Sequence, residues 1–448
     1  MDTNERICII GAGPSGIAAA MYLQVKGYTN VEIFEKAPRV GGKTAGLWEP
    51  AGADSYYAVR ELERFGGTDH ALVFSEDRVY LGADGTPEGP FGTSKGRPFA
   101  ALKLTNQLRK LARLLETKYK GCACYGHVGL SKGGFFGLSK EMDNHLRRVR
   151  GKNRNLRELA LPFDQFCRIN GVEEAAKLWL APLSASGCGY PDELPAAYVL
   201  KRFGLETVLA FHDESYWEWE DGARKIFEAV NRRLNRPAKL CTEVVSVARD
   251  GEGIRVTVQS EAGEREERFD KLIVTAPLPD FAAYADVSEE ERSLFDRIRR
   301  KKAAQLLIRV PANAMPPGMG FVPGNFTPEK SGHLVVWQRK GEPAGEERLV
   351  AATAYLNHEG SLDVPAEEAF ANLEAELGLF GLAPEERLAV RESFGMPFVP
   401  CADYADGWYD RLEALQGQRG TYYGGEILSA GSLEDACAVS RDLVGRFF

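Results

Sequence analysis

The chain has 448 residues, 44% of them apolar and 27% charged. That composition excludes a disordered or collagenous chain and leaves room for two or three domains of about 100–200 residues each. A formal net charge of −8 provides no overall basic field, so nucleic acid is not an expected partner, and no run of about 18 or more apolar residues suggests a membrane-spanning helix.

Met1 to Arg6 is polar and passes directly into Ile7-Cys8-Ile9-Ile10. A secretory signal would need a basic stretch and then a long apolar one, so a cytoplasmic location is expected. The β-branched run reads as a buried parallel strand, and it leads into Gly11-Ala12-Gly13-Pro14-Ser15-Gly16. Ile17, Ala18, Ala20, Met21 and Leu23 then follow helical spacing, and Val31 to Phe34 reads as a second strand. In this strand–turn–helix–strand unit Gly11 makes the tight turn, Gly13 admits a pyrophosphate to the backbone, and Gly16 lets helix and strand pack closely. Pro14 and Ser15 open a helix whose N-terminus faces the phosphates. Glu35, 19 residues after Gly16 and followed by Lys36, is placed to accept hydrogen bonds from an unphosphorylated ribose.

Arg39-Val40-Gly41-Gly42-Lys43 follows and resembles the R-x-G-G-[KR] extension of FAD-binding oxidoreductases of the glutathione-reductase type. Adjacent glycines let the backbone lie against a diphosphate and ribityl chain. The expected cofactor is therefore FAD, with Gly42, Lys43 and, further along the loop, Trp48 among its contacts.

Helices are expected over Leu102–Tyr119, Arg157–Asn170, Glu173–Trp179 and Ala196–Phe211. Between the first two lies a stretch that begins glycine-rich and ends basic, and its residues 140–157 could make weak contact with a membrane surface. Trp217 and Trp219 stand at strand spacing, so one of them, taken as Trp219, faces the flavin cavity. Val244–Val247 and Ile254–Val258 alternate as a hairpin with Val245 as a cofactor candidate, and Asp270–Pro277 is a strand ending in small residues. Strands are expected at Ala303–Val310, His333–Gln338 and Arg348–Tyr355, then a helix over Ala366–Leu377. Finally Thr421–Tyr423 runs into Gly424-Gly425-Glu426, a glycine–acid turn for the pyrophosphate and ribityl end. Ser432-x-x-Asp435 matches a capping box opening a last helix whose positive end would favour negative charge on the flavin.

The pattern predicts an α/β protein: a discontinuous Rossmann-like FAD domain (1–60, 215–285 and 396–448), an antiparallel-sheet substrate domain (61–99 and 286–395) and a helical cap (100–214). One dinucleotide fingerprint is present, so hydride must come from the substrate. The six histidines and eight cysteines form no metal-ligand spacing, the cysteines read as reduced, and no metal is expected. The isoalloxazine must carry out the hard step.

Further stretches carry a specific likeness: Leu161-Pro162-Phe163-Asp164, Leu194 to Lys201, Trp217-Glu218-Trp219, Gly407-Trp408-Tyr409 and Ser440 to Phe448. Through them the chain resembles, nearly end to end, the FAD-dependent polyunsaturated fatty acid double-bond isomerases, relatives of the monoamine oxidase group. The resemblance implies hydride abstraction between two double bonds and its return to another carbon of a small lipophilic substrate. It implies a gating phenylalanine at Phe211 and puts Ser186 where the family has an aromatic beside the tunnel. The family's carboxylate-holding arginine falls near His70 to Phe74, where this chain has none, and Arg78 is the nearest substitute. Trp48-Glu49 stands in a shortened flavin loop. Two other readings stay open: an oxidase or dehydrogenase acting on an amine or C–C bond, and a binding or lipid-carrier protein with FAD as a structural support. Oligomeric state is not legible.

Overall fold

The structure is a computed structural model. It describes residues 3–44, 57–68, 72–74, 78–88, 98–119, 156–212, 217–219, 222–251, 253–311, 313–314, 318–340, 348–358, 363–429 and 431–448. The chain opens with β1 (Ile7–Ile10), α1 (Pro14–Val25), β2 (Val31–Phe34), α2 (Tyr57–Gly66), β3 (Leu72–Phe74), β4 (Arg78–Leu81) and β5 (Pro87–Glu88). A helical stretch follows: α3 (Pro98–Glu116), α4 (Leu156–Leu159), α5 (Phe163–Asn170), α6 (Glu173–Ala176), α7 (Leu180–Ser186), α8 (Ala196–Arg202) and α9 (Leu205–His212). Next come β6 (Trp217–Trp219), α10 (Arg224–Arg233), β7 (Glu243–Arg249), β8 (Ile254–Ser260), β9 (Gly263–Phe269), β10 (Lys271–Val274), α11 (Leu278–Phe281) and α12 (Glu289–Phe295). Then follow β11 (Arg299–Arg309), β12 (Met319–Phe321), β13 (Leu334–Lys340), β14 (Leu349–Tyr355), α13 (Ala366–Leu379) and β15 (Glu386–Phe398). The last elements are α14 (Cys401–Ala405), α15 (Trp408–Ala414), β16 (Thr421–Tyr423), α16 (Glu426–Ser429) and α17 (Leu433–Phe447).

The first sheet is parallel, in the order β16-β10-β1-β2. Its strands are mostly apolar because both faces are covered, and Glu32 of β2 is answered by Arg6, Arg236 and Lys239. Ile7, Ile9, Ile33 and Ile273 pack with α1, α2, α10 and α17 on one side. Cys8, Ile10, Phe34, Leu272 and Val274 pack on the other, together with Val244, Val256, Val258 and Phe269 of the three-stranded sheet β7-β8-β9. The second large sheet has the order β15-β11-β14-β13-β12-β4-β5 and is antiparallel except where β4 runs parallel to β12. The antiparallel sheet expected from the sequence is present, with β4–β12 as a parallel pair within it. One face carries α13, with Leu306, Ile308 and Ala352 against Phe370, Leu373 and Leu377. The other turns Ala303, Val335 and Tyr355 towards the helices of the 156–212 region.

Two expected helices are broken. Pro162, at the N-cap of α5, divides the 157–170 segment, since the residue before a proline is pushed out of the helical region. Ala196–Phe211 divides at Phe203-Gly204, where the Trp179 indole donates to the Phe203 carbonyl at 2.7 Å. The six cysteines within the described residues form no disulfide. Among the described residues no helix is long and apolar enough to cross a membrane. The 121–155 stretch and Trp48 lie outside the described residues.

Candidate active site

Ligands in open α/β sheets lie outside the carboxyl ends of the strands. Here all four ends line one cleft of about 1410 Å³, open to solvent: Phe34 and Glu35 after β2, Ile10 and Gly11 after β1, Thr275 and Ala276 after β10, Gly424 and Gly425 after β16. Three interstrand spacings, about 14 Å in all, separate the Glu35 end from the Gly425 end. The cleft is thus long enough to hold the two ends of a dinucleotide apart.

The glycines are required by space. A Cβ on Gly16 would lie 1.9 Å from the Gly11 carbonyl oxygen, so helix and turn could not close with any larger residue. Gly13 and Gly42 lie against each other at the cleft, and a Cβ on Gly42 would come within 3.2 Å of the Gly13 Cα. Gly425 has φ +86°, and a Cβ there would meet the Thr275 carbonyl oxygen at 2.7 Å. No side chain caps the N-terminus of α1, which has proline in its first turn, so its first amides point into the cleft.

Polar groups at the cleft are held in place. The Glu35 carboxylate accepts from Ala12 N–H at 2.8 Å and Ala37 N–H at 2.9 Å, which fixes its orientation while leaving lone pairs for a ribose. Lys43 Nζ pairs with Glu426 at 2.7 Å and donates to the Gly395 carbonyl at 3.1 Å, joining the two ends of the chain across the cleft. Thr275 Oγ1 donates to the Ile10 carbonyl at 2.8 Å and so ties β10 to the glycine turn. Ser432 Oγ accepts from Asp435 N–H at 3.3 Å. Thr44 lines the cleft, is 2% exposed, and its Oγ1 has no hydrogen-bond partner among the described residues. A buried hydroxyl left unmatched costs about 1–3 kcal/mol, so this side chain expects a polar group from a ligand. The close glycine approach, the fixed ribose acid and the unmatched hydroxyl together fit FAD.

Of the expected cofactor residues, Gly11, Gly13, Pro14, Ser15, Glu35, Lys36, Gly42, Lys43, Gly425 and Glu426 line this cleft. Gly16 stands behind the turn as a spacer. Val245 does not line it; its neighbours Thr242, Glu243 and Val244 do. Val245 is the extra residue of a β-bulge between Val244 and Ser246, and the bulge directs its side chain outward, 37% exposed.

None of the three catalytic candidates lines the cleft. Trp219 is buried among the residues beneath α2 and donates its indole N–H to Glu63 at 3.3 Å, so the expected cavity-facing role is replaced by a core one. Ser186 ends α7, with its hydroxyl donating to the Leu183 carbonyl at 3.1 Å and lying 2.8 Å from Cys188 Sγ. Burial pushes the Cys188 thiol up to about 11, which keeps it protonated and unreactive near neutral pH. Phe211 is fully buried and meets Phe321 edge-on at 5.8 Å. The Arg78 guanidinium lies 4.1 Å above the Phe211 ring, and its Nη1 donates to the Phe211 carbonyl. Arg78 and Phe211, which the resemblance offers as substitute arginine and gating phenylalanine, are 133 residues apart in sequence and meet here.

Several residues at the cleft escape a reading of the sequence. Thr44 follows Gly41-Gly42-Lys43 directly, and its position could have flagged it; Thr275 lies at the small-residue end of the Asp270–Pro277 segment, and Ser432 is marked only as a helix cap. Two of the resemblance-bearing stretches, Leu194 to Lys201 and Gly407 to Tyr409, converge on α16. Tyr198 donates to the carbonyl of Ile427 at 3.3 Å, Tyr409 to the same carbonyl at 3.0 Å, and Lys201 to that of Leu428 at 3.3 Å.

Comparison with known proteins agrees with this geometry. The family model for flavin containing amine oxidoreductases matches residues 14–441. The crystal structure of a CLA-producing fatty acid isomerase from P. acnes superposes with a TM-score of 0.86 over 100% of both chains, at 30% identity. A polyenoic fatty acid isomerase from Ptilota filicina is 24% identical over 300 residues, which are 62% of this chain and 57% of that protein's length. A putrescine oxidase shares the fold, with a TM-score of 0.68 at 15% identity over 99% of this chain and 98% of the other. With its FAD cleft built from both chain ends and a match over nearly its full length, the chain belongs to the flavin-containing amine oxidoreductase family and is a flavin-dependent enzyme.

Proposed function

We propose that the enzyme moves a double bond along an unsaturated fatty acid without net oxidation. The observation that carries this reading is the cation held over an aromatic ring: Arg78 stacked on Phe211. Phe211 in turn belongs to a buried aromatic cluster with Phe321 and Tyr80, the last two rings stacking at 5.4 Å, which could part to form an apolar wall. An amine substrate would be repelled by a guanidinium in that place. A fatty acid presents the complement, a carboxylate that can take both donor edges of the guanidinium and an apolar chain for the wall.

Bound FAD supplies a hydride acceptor that can also serve as donor. The first amides of α1 and the bare backbone of Gly13 and Gly42 receive its diphosphate, Glu35 takes its ribose, and Thr44 Oγ1 offers the buried hydroxyl. The chain's remaining task is to orient the substrate and exclude water, because a carbon-bound hydrogen moved as hydride needs no acid–base pair. Arg78 fixes the carboxylate end, which sets how far along the chain a given methylene reaches. The 30% identity to a fatty acid isomerase over the full chain supports the same reading, whereas the oxidases at 14–16% identity share architecture alone.

The test is anaerobic incubation of the holoenzyme with excess fatty acid whose two double bonds are separated by one methylene. Conjugated-diene absorbance growing far beyond one equivalent, with the flavin yellow at the end, is the expected result. Bleaching in stoichiometric amount with no conjugated product would make the enzyme a dehydrogenase or oxidase.

A further inference from the structure

The glycine–acid turn and the start of α17 form the end of the cleft opposite the ribose acid, with Ser429, Ser432, Leu433 and Ala436 among its lining residues. Three carboxylates crowd this end, and each is answered differently. Glu426 pairs with Lys43 at 2.7 Å. Glu434 accepts from the backbone amides of Ala58 and Val59, at 2.6 and 2.9 Å. Asp435, in the first turn of α17, has its side chain 6% exposed and lies 3.7 Å from Lys201 Nζ, whose own side chain is 0% exposed. Lys201 reaches there from α8, across to the helix that lines the cleft, and its ammonium also donates to the Leu428 carbonyl at 3.3 Å.

A charge so buried acts at short range with little solvent screening. An unanswered Asp435 would oppose the uptake of electrons by a flavin in the cleft and cancel the attraction of the α17 N-terminus for negative charge. We infer that Lys201 sets the electron affinity of the bound FAD by neutralising Asp435, so that a residue of the 156–212 helical region tunes the cofactor's reduction potential. The inference rests on FAD occupying the cleft and is independent of which substrate is used.

The experiment is an equilibrium reduction of the holoenzyme against a reference dye, without substrate. Lys201→Met is expected to lower the midpoint potential, with the oxidised-to-reduced ratio changing at least tenfold at fixed potential, about 30 mV for two electrons. Asp435→Asn is expected to raise it, Lys201→Arg to leave it near that of the parent, and Lys201→Met/Asp435→Asn to return it there. The opposite signs of the two single variants separate a charge effect from loosened packing, which would move both alike. Shifts of the same sign, or potentials within threefold of the parent in that ratio for both single variants, would overturn the inference. Should Lys201→Met lose its flavin, Asp435→Asn decides alone: an upward shift supports the role and no upward shift removes it. A colourless parent enzyme, by contrast, would count against FAD in the cleft itself.

Discussion

A guanidinium over a phenyl ring gains about 0.5–2 kcal/mol from the ring quadrupole, less than a bidentate carboxylate can offer at a partly buried position. Arg78 can therefore exchange the Phe211 ring for an arriving carboxylate. Arg78→Gln is expected to raise KM for a free fatty acid at least tenfold, which corresponds to about 1.4 kcal/mol, and to remove the preference for the acid over its methyl ester. Steady-state kinetics on both substrates check this; an unchanged acid-to-ester ratio would move the carboxylate contact elsewhere. The family resemblance offered Arg78 only as the nearest substitute; its contact with Phe211, 133 residues away, follows from the fold and not from any local pattern. Trp219 was misread at the same scale: alternation identifies two faces of a strand but does not say which one meets the cofactor.

Among elements, β7, α12 and β16 meet at a buried cluster. Arg249 pairs with Glu291 at 2.7 Å and with Asp286 at 2.8 Å, and the Tyr423 hydroxyl donates to Glu291. Burial by itself raises the Glu291 carboxyl, but hydrogen bonds from Arg249, Tyr423 and the Ser288 backbone overcome it and hold the group below its usual range. A depressed carboxyl adds stability that is present above its unfolded value, about 4.3, and lost as pH falls through the folded value. Glu291→Gln is accordingly expected to be less stable than the parent at neutral pH, with the gap narrowing below about pH 4.3; urea unfolding at a series of pH values measures it. Elements of the cofactor sheet were legible because β1, β10 and β16 are short, mostly apolar runs ending in glycine or small residues, and β2 is a similar run leading to the acid Glu35. By contrast β9 is Gly-Glu-Arg-Glu-Glu-Arg-Phe, and the first seven residues of the thirteen in β15 are exposed. Neither strand has the apolar alternation that sequence reading depends on.

Across the whole molecule, the 156–212 helices are fastened to the seven-stranded sheet by a polar joint. Lys301 Nζ donates to Glu193 at 2.7 Å and to the Asn357 carbonyl at 2.6 Å, and both charged side chains of the pair are 2% exposed. Beside it Gly187 and Gly395 touch so closely that a Cβ on Gly395 would lie 2.0 Å from the Gly187 carbonyl oxygen. Removing one member of such a pair strands the other in a dry site: Lys301→Met is expected to cost about 3–5 kcal/mol, and Lys301→Met/Glu193→Gln clearly less. Denaturant titration of the three proteins checks the order. No sequence pattern announces this contact, since Lys301 and Glu193 are 108 residues apart and each reads as an ordinary surface charge.

The parallel sheet takes β1 and β2 from residues 7–34 and β16 from residues 421–423, with α17 packed on α1 beside them. During synthesis, then, the coenzyme has no complete seat until residues 421–447 have left the ribosome. A nascent chain stalled before residue 421 is expected to carry no flavin.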